Sequence, residues 1–408
     1  MRTAKLKDIT LTITDGKHGD CKNHDGSGYY FISCKDVYDE TIHYENARQI
    51  TEDDFRDADR RTNLAAYDIL ITNSGTIGRM ALVKDIPETR KTTFQKSVAI
   101  VRADTSQVVP NYLYYLLKSK VHDFINSSNG SAQKNLLLST MRDFDISFVD
   151  SFETQHRIAT ILSRYDSLIE NYQKQINLLE EAAQRLYKEW FIDLHFPGHE
   201  NTNIIDGVPE GWEKKTIDDV TCKITTGLNP RKNFVLGKGS NYYVTIKNMA
   251  DNTLFLDDRC DRVDNEALEK INKRSDLKIG DILFSGIGTI GRVALVDIPT
   301  NNWNVSESVF TLRVNDIVTK EFLYLMLLSP DMQNYCQSNA HGAAQKGIRM
   351  ADLKAYSFNL PPFGVIQKFT NLVTPTIKKV SSIRNQIRLL TEARDRLLPK
   401  LMSGEIAV

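Results

Sequence analysis

The sequence predicts an α+β protein made of two related copies of one unit, and each copy has a mixed, strand-rich front part followed by a long helix. Three observations predict this architecture: an internal duplication with a period of about 210 residues, a strand, turn and strand pattern around a shared glycine block, and a heptad pattern behind it. A period this long exceeds that of solenoid repeats. It indicates a tandem duplication with a pseudo-twofold axis.

The duplication is clearest in a block that contains two glycines. Residues 75–83 read GTIGRMALV and residues 288–296 read GTIGRVALV, and both blocks run on into Asp-Ile-Pro. The same register pairs further residues of the two copies, namely Lys35 with Lys247, residues 68–70 with 281–283, residues 132–134 with 344–346, and residues 175–176 with 386–387. Matches in this order and spacing indicate that both copies share one fold.

Length and composition exclude several classes of protein. The 408 residues have room for about two to four domains, and a net charge of zero means that any nucleic-acid binding must come from local basic surfaces. No signal-peptide pattern and no apolar stretch long enough for a membrane span are found, so we expect a cytoplasmic protein without membrane contact. The cysteines form no Cys-x-x-Cys pair, which disfavours a zinc site and a disulfide framework.

Short apolar runs on either side of the glycine block predict a strand, turn and strand in each copy. Residues 68–71 and 281–284 enter the turn, and residues 80–83 and 293–296 leave it. The one amphipathic helix expected in each front part is predicted at residues 111–118 and 321–328.

Apolar residues in the rear part of each copy recur in alternating steps of four and three, which is a heptad pattern. In the first copy this seam consists of Ile158, Leu162, Tyr165, Ile169, Tyr172, Ile176, Leu179 and Leu186. In the second copy it consists of Val380, Ile383, Ile387, Leu390 and Leu397, with Thr376 and Arg394 as interruptions. Pro375 is expected to start or kink the second helix.

A helix from residue 158 to residue 190 would span roughly 50 Å, which is longer than one domain needs. The expected partner is the helix of the other copy, packed antiparallel about the pseudo-twofold axis. Alternatively, each helix covers its own front part. Charged residues away from the seam, including Arg384 and Arg388, are expected to be solvated or to face a partner protein.

Residues 286–291 read GIGTIG and match the GxGxxG pattern of dinucleotide-binding loops. Such a loop must open a helix whose N-terminus faces the ligand, whereas the following residues, RVALV, favour a strand. The first copy has Asn73 in place of Gly286, so the pattern is not shared and is interpreted as accidental. A free-standing enzyme that binds S-adenosylmethionine or a nucleotide, and a coiled-coil scaffold for proteins only, stay as alternatives.

Several blocks together resemble the specificity subunit of type I restriction-modification systems over essentially the full chain. They are GTIGR in both copies, VPEGW at 208–212, QHRIATILSRYD at 155–166, LYKEWFIDLHFPG at 186–198 and LLPKLMSGEIAV at 397–408. Two departures concern the N-terminal boundary of the first copy and the straightness of the second helix. The first copy lacks the Pro-Glu-Gly-Trp opening of the second copy, and Pro375 stands where the first copy has Ser163.

The resemblance implies a subunit without a catalytic site of its own, in a complex that serves phage defence. Residues 1–150 and 208–360 would be target recognition domains that each read one half of a bipartite, asymmetric site in double-stranded DNA. Residues 151–197 and 361–408 would be conserved spacer helices, and residues 198–211 a linker. The helices would dock two methyltransferase subunits that methylate adenine N6, and endonuclease-translocase subunits would join them for restriction. No cofactor is expected in this chain, while S-adenosylmethionine, Mg²⁺ and ATP are expected on the partner subunits.

Physical reasoning agrees with this implication. Two similar but non-identical domains held at a fixed separation would read two different short sequences, and major-groove readout repeats about every 34 Å along DNA, which long helices can span. Base specificity is expected in the segments before Asp68 and Asp281 and in the loops after Pro87 and Pro299, because the copies differ most there.

Basic residues at equivalent positions of the two copies are candidates for shared phosphate contacts. These pairs are Lys35 with Lys247, Arg79 with Arg292, and Lys134 with Lys346. Gln133 and Gln345 are candidates for hydrogen bonds to base edges or to the DNA backbone, and Arg231 and Lys232 for a DNA-contacting loop of the second domain. The alternative is that these residues are ordinary surface charge.

Overall fold

The structure is a computed structural model that describes residues 1–128, 135–231, 233–250, 252–342 and 346–408. Its internal contacts divide the chain into two units. Unit 1 comprises Met1–Asn171 and Arg388–Val408, and unit 2 comprises Tyr172–Ile387. The boundary between the units therefore falls inside both long helices of the chain.

The front part of unit 1 consists of short strands and short helices. Its strands are β1 (Arg2–Lys5), β2 (Thr10–Asp15), β3 (Tyr30–Ile32), β4 (Val37–Tyr38), β5 (Thr41–Ile42), β6 (Ile69–Thr72), β7 (Met80–Leu82), β8 (Thr92–Phe94), β9 (Val98–Ala103) and β10 (Asp145–Phe148). Its helices are α1 (Glu52–Thr62), α2 (Pro110–Ser119), α3 (Val121–Asn126) and α4 (Leu138–Arg142).

A long helix, α5 (Phe152–Phe191), follows this front part. The next strands are β11 (Ile204–Ile205), β12 (Val208–Pro209), β13 (Glu213–Thr216), β14 (Thr221–Thr226), β15 (Asn241–Val244), β16 (Met249–Ala250), β17 (Thr253–Leu254), β18 (Asp261–Val263), β19 (Ile282–Ser285), β20 (Val293–Leu295), β21 (Trp303–Val305), β22 (Val309–Val314) and β23 (Ser357–Leu360). The helices are α6 (Asn265–Ser275), α7 (Lys320–Leu328), α8 (Pro330–Ser338), α9 (Met350–Ala355) and the second long helix, α10 (Phe363–Ser403).

Both front parts contain the same central sheet of four antiparallel strands. The strand order is β2-β9-β6-β7 in unit 1 and β14-β22-β19-β20 in unit 2. Around the glycine block, Ile71 pairs with Met80 in unit 1 and Phe284 pairs with Val293 in unit 2. The predicted strand, turn and strand is therefore confirmed in both copies.

Smaller pairings complete each front part in the same way. β3 pairs with β8 in parallel, and its counterpart β15 pairs with β21 in parallel. The antiparallel pairs β1-β10 and β13-β23 join the beginning of each front part to its end. Mixed sheets with helices outside them confirm the predicted α+β class.

The central sheet of each unit is buried on both faces. Successive side chains of a strand point in opposite directions, so neighbouring residues enter two different cores. In unit 1, Ile69 belongs to one core, while its neighbour Leu70 belongs to a second core on the other face. In unit 2, Ile282 and Leu283 divide between two cores in the same manner. This placement holds the turn that follows each strand in a defined position.

Helices α2 and α7 confirm the two helices predicted from residues 111–118 and 321–328, but their predicted amphipathic character is wrong. Six successive residues are buried in each, from Tyr112 in α2 and from Phe322 in α7. The physical reason in unit 1 is that α2 packs on strands β7 and β9 and also reaches α5, where Tyr115 donates a hydrogen bond to Asp166.

The expectation of one helix in each front part is also wrong, because α1 and α6 are present as well. Thr51 caps α1 by accepting a hydrogen bond from the backbone of Asp54 at 3.3 Å. Asp264 caps α6 by accepting one from Ala267 at 2.8 Å. Both caps are readable N-terminal signals that precede short helices with few apolar residues.

Within unit 2, α5 and α10 run antiparallel. Glu180 lies 2.5 Å from Arg384, and the rings of Phe191 and Phe369 lie 4.8 Å apart, so a later position in α5 meets an earlier position in α10. Ile176 shares a buried cluster with Val380 and Ile383. The half-buried members of the heptad seam in both units are Tyr165, Ile169, Tyr172, Leu179, Leu186, Ile387, Leu390 and Leu397.

Within unit 1, the beginning of α5 and the end of α10 contribute to the core of the front part. Ile158 and Leu162 share this core with Leu398 and Leu401. The helices therefore pack against each other and also cover the front part, so the two interpretations of the seam are not exclusive.

Helix α10 is continuous from Phe363, so the expectation that Pro375 starts it is wrong. Between α5 and the second front part, β11 and β12 form a hairpin in which Ile205 pairs with Val208. Among the described residues, none of the helices is both long enough and apolar enough to cross a membrane.

Candidate nucleic-acid interface

The GTIGR block forms the same closed turn in both units. In unit 1, the Thr72 amide donates a hydrogen bond to the Arg79 carbonyl at 2.8 Å, and the Gly78 amide donates one to the Thr72 carbonyl at 2.9 Å. In unit 2, the Ser285 amide donates a hydrogen bond to the Arg292 carbonyl at 2.9 Å, and the Gly291 amide donates one to the Ser285 carbonyl at 3.0 Å. The turn thus presents its arginine at the start of the outgoing strand.

A hydroxyl group that was not among the residues predicted from the sequence completes each turn. The Arg79 amide donates to Thr72 Oγ1 at 2.9 Å, and the Arg292 amide donates to Ser285 Oγ at 2.8 Å. Ser285 Oγ in turn donates to the Thr289 carbonyl at 2.6 Å. The available signal was that both copies carry a small hydroxyl residue at this position.

The shared glycines have a conformational reason. Gly75 and Gly288 have φ of +79° and +83°, in the left-handed region that side chains disfavour. A Cβ atom on Gly75 would also lie 3.0 Å from the sulfur of Cys34. The turn therefore packs closely against the segment that carries Lys35.

Gly286 has a different role from a glycine of a dinucleotide-binding loop. A Cβ atom there would lie 2.5 Å from the ring of Phe310, so the glycine allows close packing within the sheet. The residues after Gly291 form strand β20, which pairs with β19. A loop followed by a strand has no helix N-terminus to bind a phosphate, which supports the interpretation that the match is accidental.

The turn brings the shared basic residues together. In unit 1, Arg79 Nη1 donates to the Cys34 carbonyl at 3.4 Å, and the next residue, Lys35, is exposed. In unit 2, Arg292 Nη1 donates to the Ile246 carbonyl at 2.9 Å, and the next residue, Lys247, is exposed. Each unit therefore places an arginine beside a lysine on one surface, although the two residues are more than forty positions apart in the sequence.

Lys346 belongs to the same surface in unit 2, because the Gly288 amide donates to its carbonyl at 2.8 Å and its side chain is exposed. Ile287 and Gly347 form an isolated antiparallel bridge there, and Ser74 and Asn135 form its counterpart in unit 1. Four candidates, Gln133, Lys134, Lys232 and Gln345, lie outside the described residues.

Arg231 is exposed in a loop of unit 2 whose neighbouring residues are fixed by buried polar contacts. Asn229 Nδ2 donates to Glu307 at 2.7 Å, and Tyr243 donates to the other oxygen of Glu307 at 3.1 Å. Asn229 Oδ1 is buried and has no hydrogen-bond partner in the described part of the chain. Burial raises the pKa of Tyr243, which keeps this phenol protonated as a donor.

Other chemistry has little support in the described residues. They contain no group of three His, Cys, Asp or Glu side chains that could hold a metal ion. The cysteines are unpaired, and burial raises the pKa of Cys336 to about 12. A thiol with such a pKa stays protonated at neutral pH and is a poor nucleophile.

Two comparisons of sequence identify related proteins. Residues 3–181 and 209–387 each match the sequence profile of the family described as "Type I restriction modification DNA specificity domain". The type I restriction enzyme MjaIX specificity subunit of Methanocaldococcus jannaschii is 30% identical over 396 residues, which cover 95% of this chain and 89% of that protein. The type I restriction enzyme HindI specificity subunit of Haemophilus influenzae is 24% identical over 375 residues, which cover 75% of this chain and 80% of that protein.

A comparison of structures agrees in fold. The crystal structure of the type I restriction-modification system S subunit from M. genitalium superposes with a TM-score of 0.58 and 17% identity, and it covers 98% of this chain and 96% of that one. At this identity the similarity concerns the fold alone. The two profile matches coincide with the two copies found by internal repetition.

Proposed function

The chain belongs to the family of DNA specificity subunits of type I restriction-modification systems, and we propose that each front part binds one half of a bipartite, asymmetric DNA site. In this role the chain selects the sequence and partner subunits carry out the chemistry. The observation that carries the proposal is the repeated turn that places an exposed lysine beside an arginine in each unit.

The basic surface around each turn suits the phosphate backbone of DNA. Lys35 with Arg79, and Lys247 with Arg292, occur in the same geometry in both units, although the net charge of the chain is zero. Contacts to phosphate position a protein on the duplex but carry no sequence information. Residues shared by two domains that read different sequences are therefore suited to phosphates.

Base readout is proposed for side chains that differ between the copies on an equivalent backbone. Gly16 and Gly227 both lie so close to a neighbouring strand that a Cβ atom would overlap its backbone. The loops that follow these glycines carry different exposed side chains, namely His18 in unit 1 and Arg231 in unit 2. Different side chains on a common loop would give each domain its own sequence preference.

The long helices are proposed to dock two methyltransferase subunits, and endonuclease-translocase subunits would join the complex for restriction. Several leucines on the helices are substantially exposed, which suits protein contacts. They are Leu168, Leu178, Leu372 and Leu389. S-adenosylmethionine, Mg²⁺ and ATP would be held by these partners, and the assembled complex would act on chromosomal DNA in the cytoplasm.

The decisive experiment is co-expression of this chain with its methyltransferase partner in a host that lacks adenine methylation, followed by mapping of N6-methyladenine across the genome. We expect a split motif with a fixed gap that disappears when this chain is omitted. A soluble complex that produces no motif would contradict the proposal and would favour a protein scaffold.

Exchange of residues 1–150 for the front part of another family member tests the assignment of the halves. One half of the methylated motif should change and the other half should stay the same. A change in both halves would contradict independent reading by the two domains.

A further inference from the structure

Arg394 interrupts the heptad seam of α10, and the structure buries it within unit 1. Its side chain is only 9% exposed, and Nη1 lies 2.6 Å from Asp166 of α5 and 2.9 Å from Glu40. A charged group in this position requires partners, since an unpaired buried charge is strongly unfavourable. Arg394 therefore joins both long helices to the front part of unit 1.

Glu40 lies in the tight turn between β4 and β5. Asp39 and Glu40 have φ of +46° and +62°, which is unfavourable for residues with a side chain and persists where surrounding contacts support it. Lys118 and Tyr114 of α2 also donate to the Glu40 carboxylate. The hairpin is thus held at its tip by α2 and by Arg394.

Unit 2 contains a comparable connection made by a different arginine. Arg384 of α10 lies 2.5 Å from Glu180 of α5, and its Nη1 donates at 3.1 Å to the backbone carbonyl of Asn252. Asn252 is in the tight turn between β16 and β17 and has a φ of +52°. Arg384 was expected to be solvated or to face a partner protein, and the first of these alternatives is wrong because its side chain is only 18% exposed.

The two connections end at the same place in the two copies. Glu40 directly precedes β5 and Asn252 directly precedes β17, so both belong to the equivalent hairpin. The arginines are not equivalent, because the repeat register places Ala183 opposite Arg394 and Gln173 opposite Arg384. In each unit, an arginine of α10 therefore contacts both an acidic residue of α5 and the tip of the equivalent hairpin. Because the two arginines are not equivalent in sequence, we infer that both units require a connection between the helices and this hairpin.

A second contact fixes each front part to the helix that follows it. Lys84 lies 2.7 Å from Glu170 of α5 in unit 1, and Ser381 of α10 donates a hydrogen bond to Asp297 in unit 2. These positions are equivalent in the repeat register, although their chemistry differs. Each front part therefore has these two polar contacts with the helices in addition to the apolar packing, and together they restrict its rotation.

The ionic partners keep Arg394 charged. Burial alone would lower the pKa of Arg394, but Glu40 and Asp166 raise it above its ordinary value. Burial also raises the pKa of Tyr115, with Asp166 adding to the effect, so this phenol remains a hydrogen-bond donor to Asp166. Arg394 therefore remains a cation and Tyr115 a hydrogen-bond donor at neutral pH.

We propose that Arg394 and Arg384 are positioning residues that fix the orientation of each recognition domain on the helix segments of its own unit, and that they thereby restrict the gap between the two half-sites that the complex accepts. This inference rests on the proposed function. It assigns to the arginines no contact with DNA. Loss of either one should leave the bases read in each half unchanged and should relax the accepted gap.

The test uses the full complex of this chain with its methyltransferase partner and the genome-wide adenine methylation map described above. Variants Arg394→Met and Arg384→Met are compared with the wild type, and Arg396→Gln, an exposed arginine of the same helix, is the matched control. Arg394→Lys keeps the charge and should restore part of the discrimination. Arg394→Met removes the arginine partner of two acidic groups, so Arg384→Met serves as the test if the first variant does not fold.

For either methionine variant we expect methylation at sites whose gap is one base pair too long or too short to rise roughly tenfold relative to methylation at the cognate site. A displacement of about 1 Å of a positioned group can change a rate by about a hundredfold, so an effect of this size is reasonable. Arg396→Gln should behave as the wild type.

Two results would overturn the inference. A uniform fall in methylation with the original gap would mean that the arginines contribute to stability alone, and a change in the bases of a half-site would mean that they take part in base readout. Absence of any split motif with the wild-type chain would instead refute the proposed function, and so the two failures are distinguishable.

Discussion

Asp281 forms a two-pronged ion pair with Arg313, whose Nε lies 2.7 Å and whose Nη2 lies 2.9 Å from its two carboxylate oxygens. Asp68 and Arg102 form the same pair in unit 1. The carboxylates are almost completely buried, with side-chain exposures of 1% and 2%. Each aspartate directly precedes the strand that enters the glycine turn, so the pair fixes the start of that strand beside the adjacent strand of the sheet.

Asp281→Asn should destabilise the protein, because it removes the closest charged partner of the Arg313 guanidinium and leaves the weaker ion pair with Asp276 at 3.5 Å. Removal of one partner of a fully buried pair costs about 3–5 kcal/mol, and this range is the upper limit here because the side chain of Arg313 is 23% exposed. The double variant Asp281→Asn with Arg313→Met should recover part of this loss. Denaturant unfolding measures the effect, and Asp258→Asn at an exposed position is the control. If Asp281→Asn were as stable as Asp258→Asn, the proposed role of the ion pair would be contradicted.

Gly75→Ala should destabilise the turn in unit 1, because its φ of +79° disfavours a side chain and the new Cβ would meet the sulfur of Cys34 at 3.0 Å. We expect a loss of roughly 1 kcal/mol or more. Gly364→Ala is a matched control, since Gly364 lies in open space in the first turn of α10. Alanine restricts the unfolded chain at such a position and should stabilise the protein by about 0.4–1 kcal/mol. Thermal unfolding of the two variants should shift in opposite directions.

Lys35→Ala and Lys247→Ala should each weaken DNA binding by the assembled complex to a similar extent for cognate and unrelated duplexes. If each lysine contacts one phosphate, the slope of log affinity against log salt concentration should fall by about one. Salt titration of binding measures this slope. Lys273→Ala, at an exposed position of α6, is the control; a variant that loses affinity for cognate DNA alone would instead indicate base readout.

Stability should fall as the pH rises above about 9. Burial raises the pKa of Cys336 from 9.0 to about 12, so between these values the unfolded chain loses this proton while the folded chain retains it. The folded state then binds more protons, and stability decreases with pH by at most about 1.4 kcal/mol per pH unit for this group. Cys336→Ala should reduce the slope of stability against pH; an unchanged slope would exclude this contribution.

The sequence by itself determined those features that depend on neighbours along the chain and on repetition. The strands on either side of the glycine turn follow from short apolar runs, as the pairs Ile71 with Met80 and Phe284 with Val293 demonstrate. The repetition of GTIGR indicated the duplication, and this block together with the blocks at 155–166, 186–198, 208–212 and 397–408 carried the resemblance to the family. Lys35 and Arg79 were found in the same way, because both recur in the second copy.

Tertiary structure alone decided which of these residues meet. Arg394 and Glu40 are 354 positions apart, and their ion pair exists because helix packing brings a seam position of α10 to the tip of a hairpin. A charged residue at an apolar heptad position was a visible signal, but its partners were not. The burial of α2 on all sides likewise depends on the sheet and the helix around it. Apolar spacing identifies the buried face of a helix only when the opposite face is exposed to water, and α2 has no such exposed face.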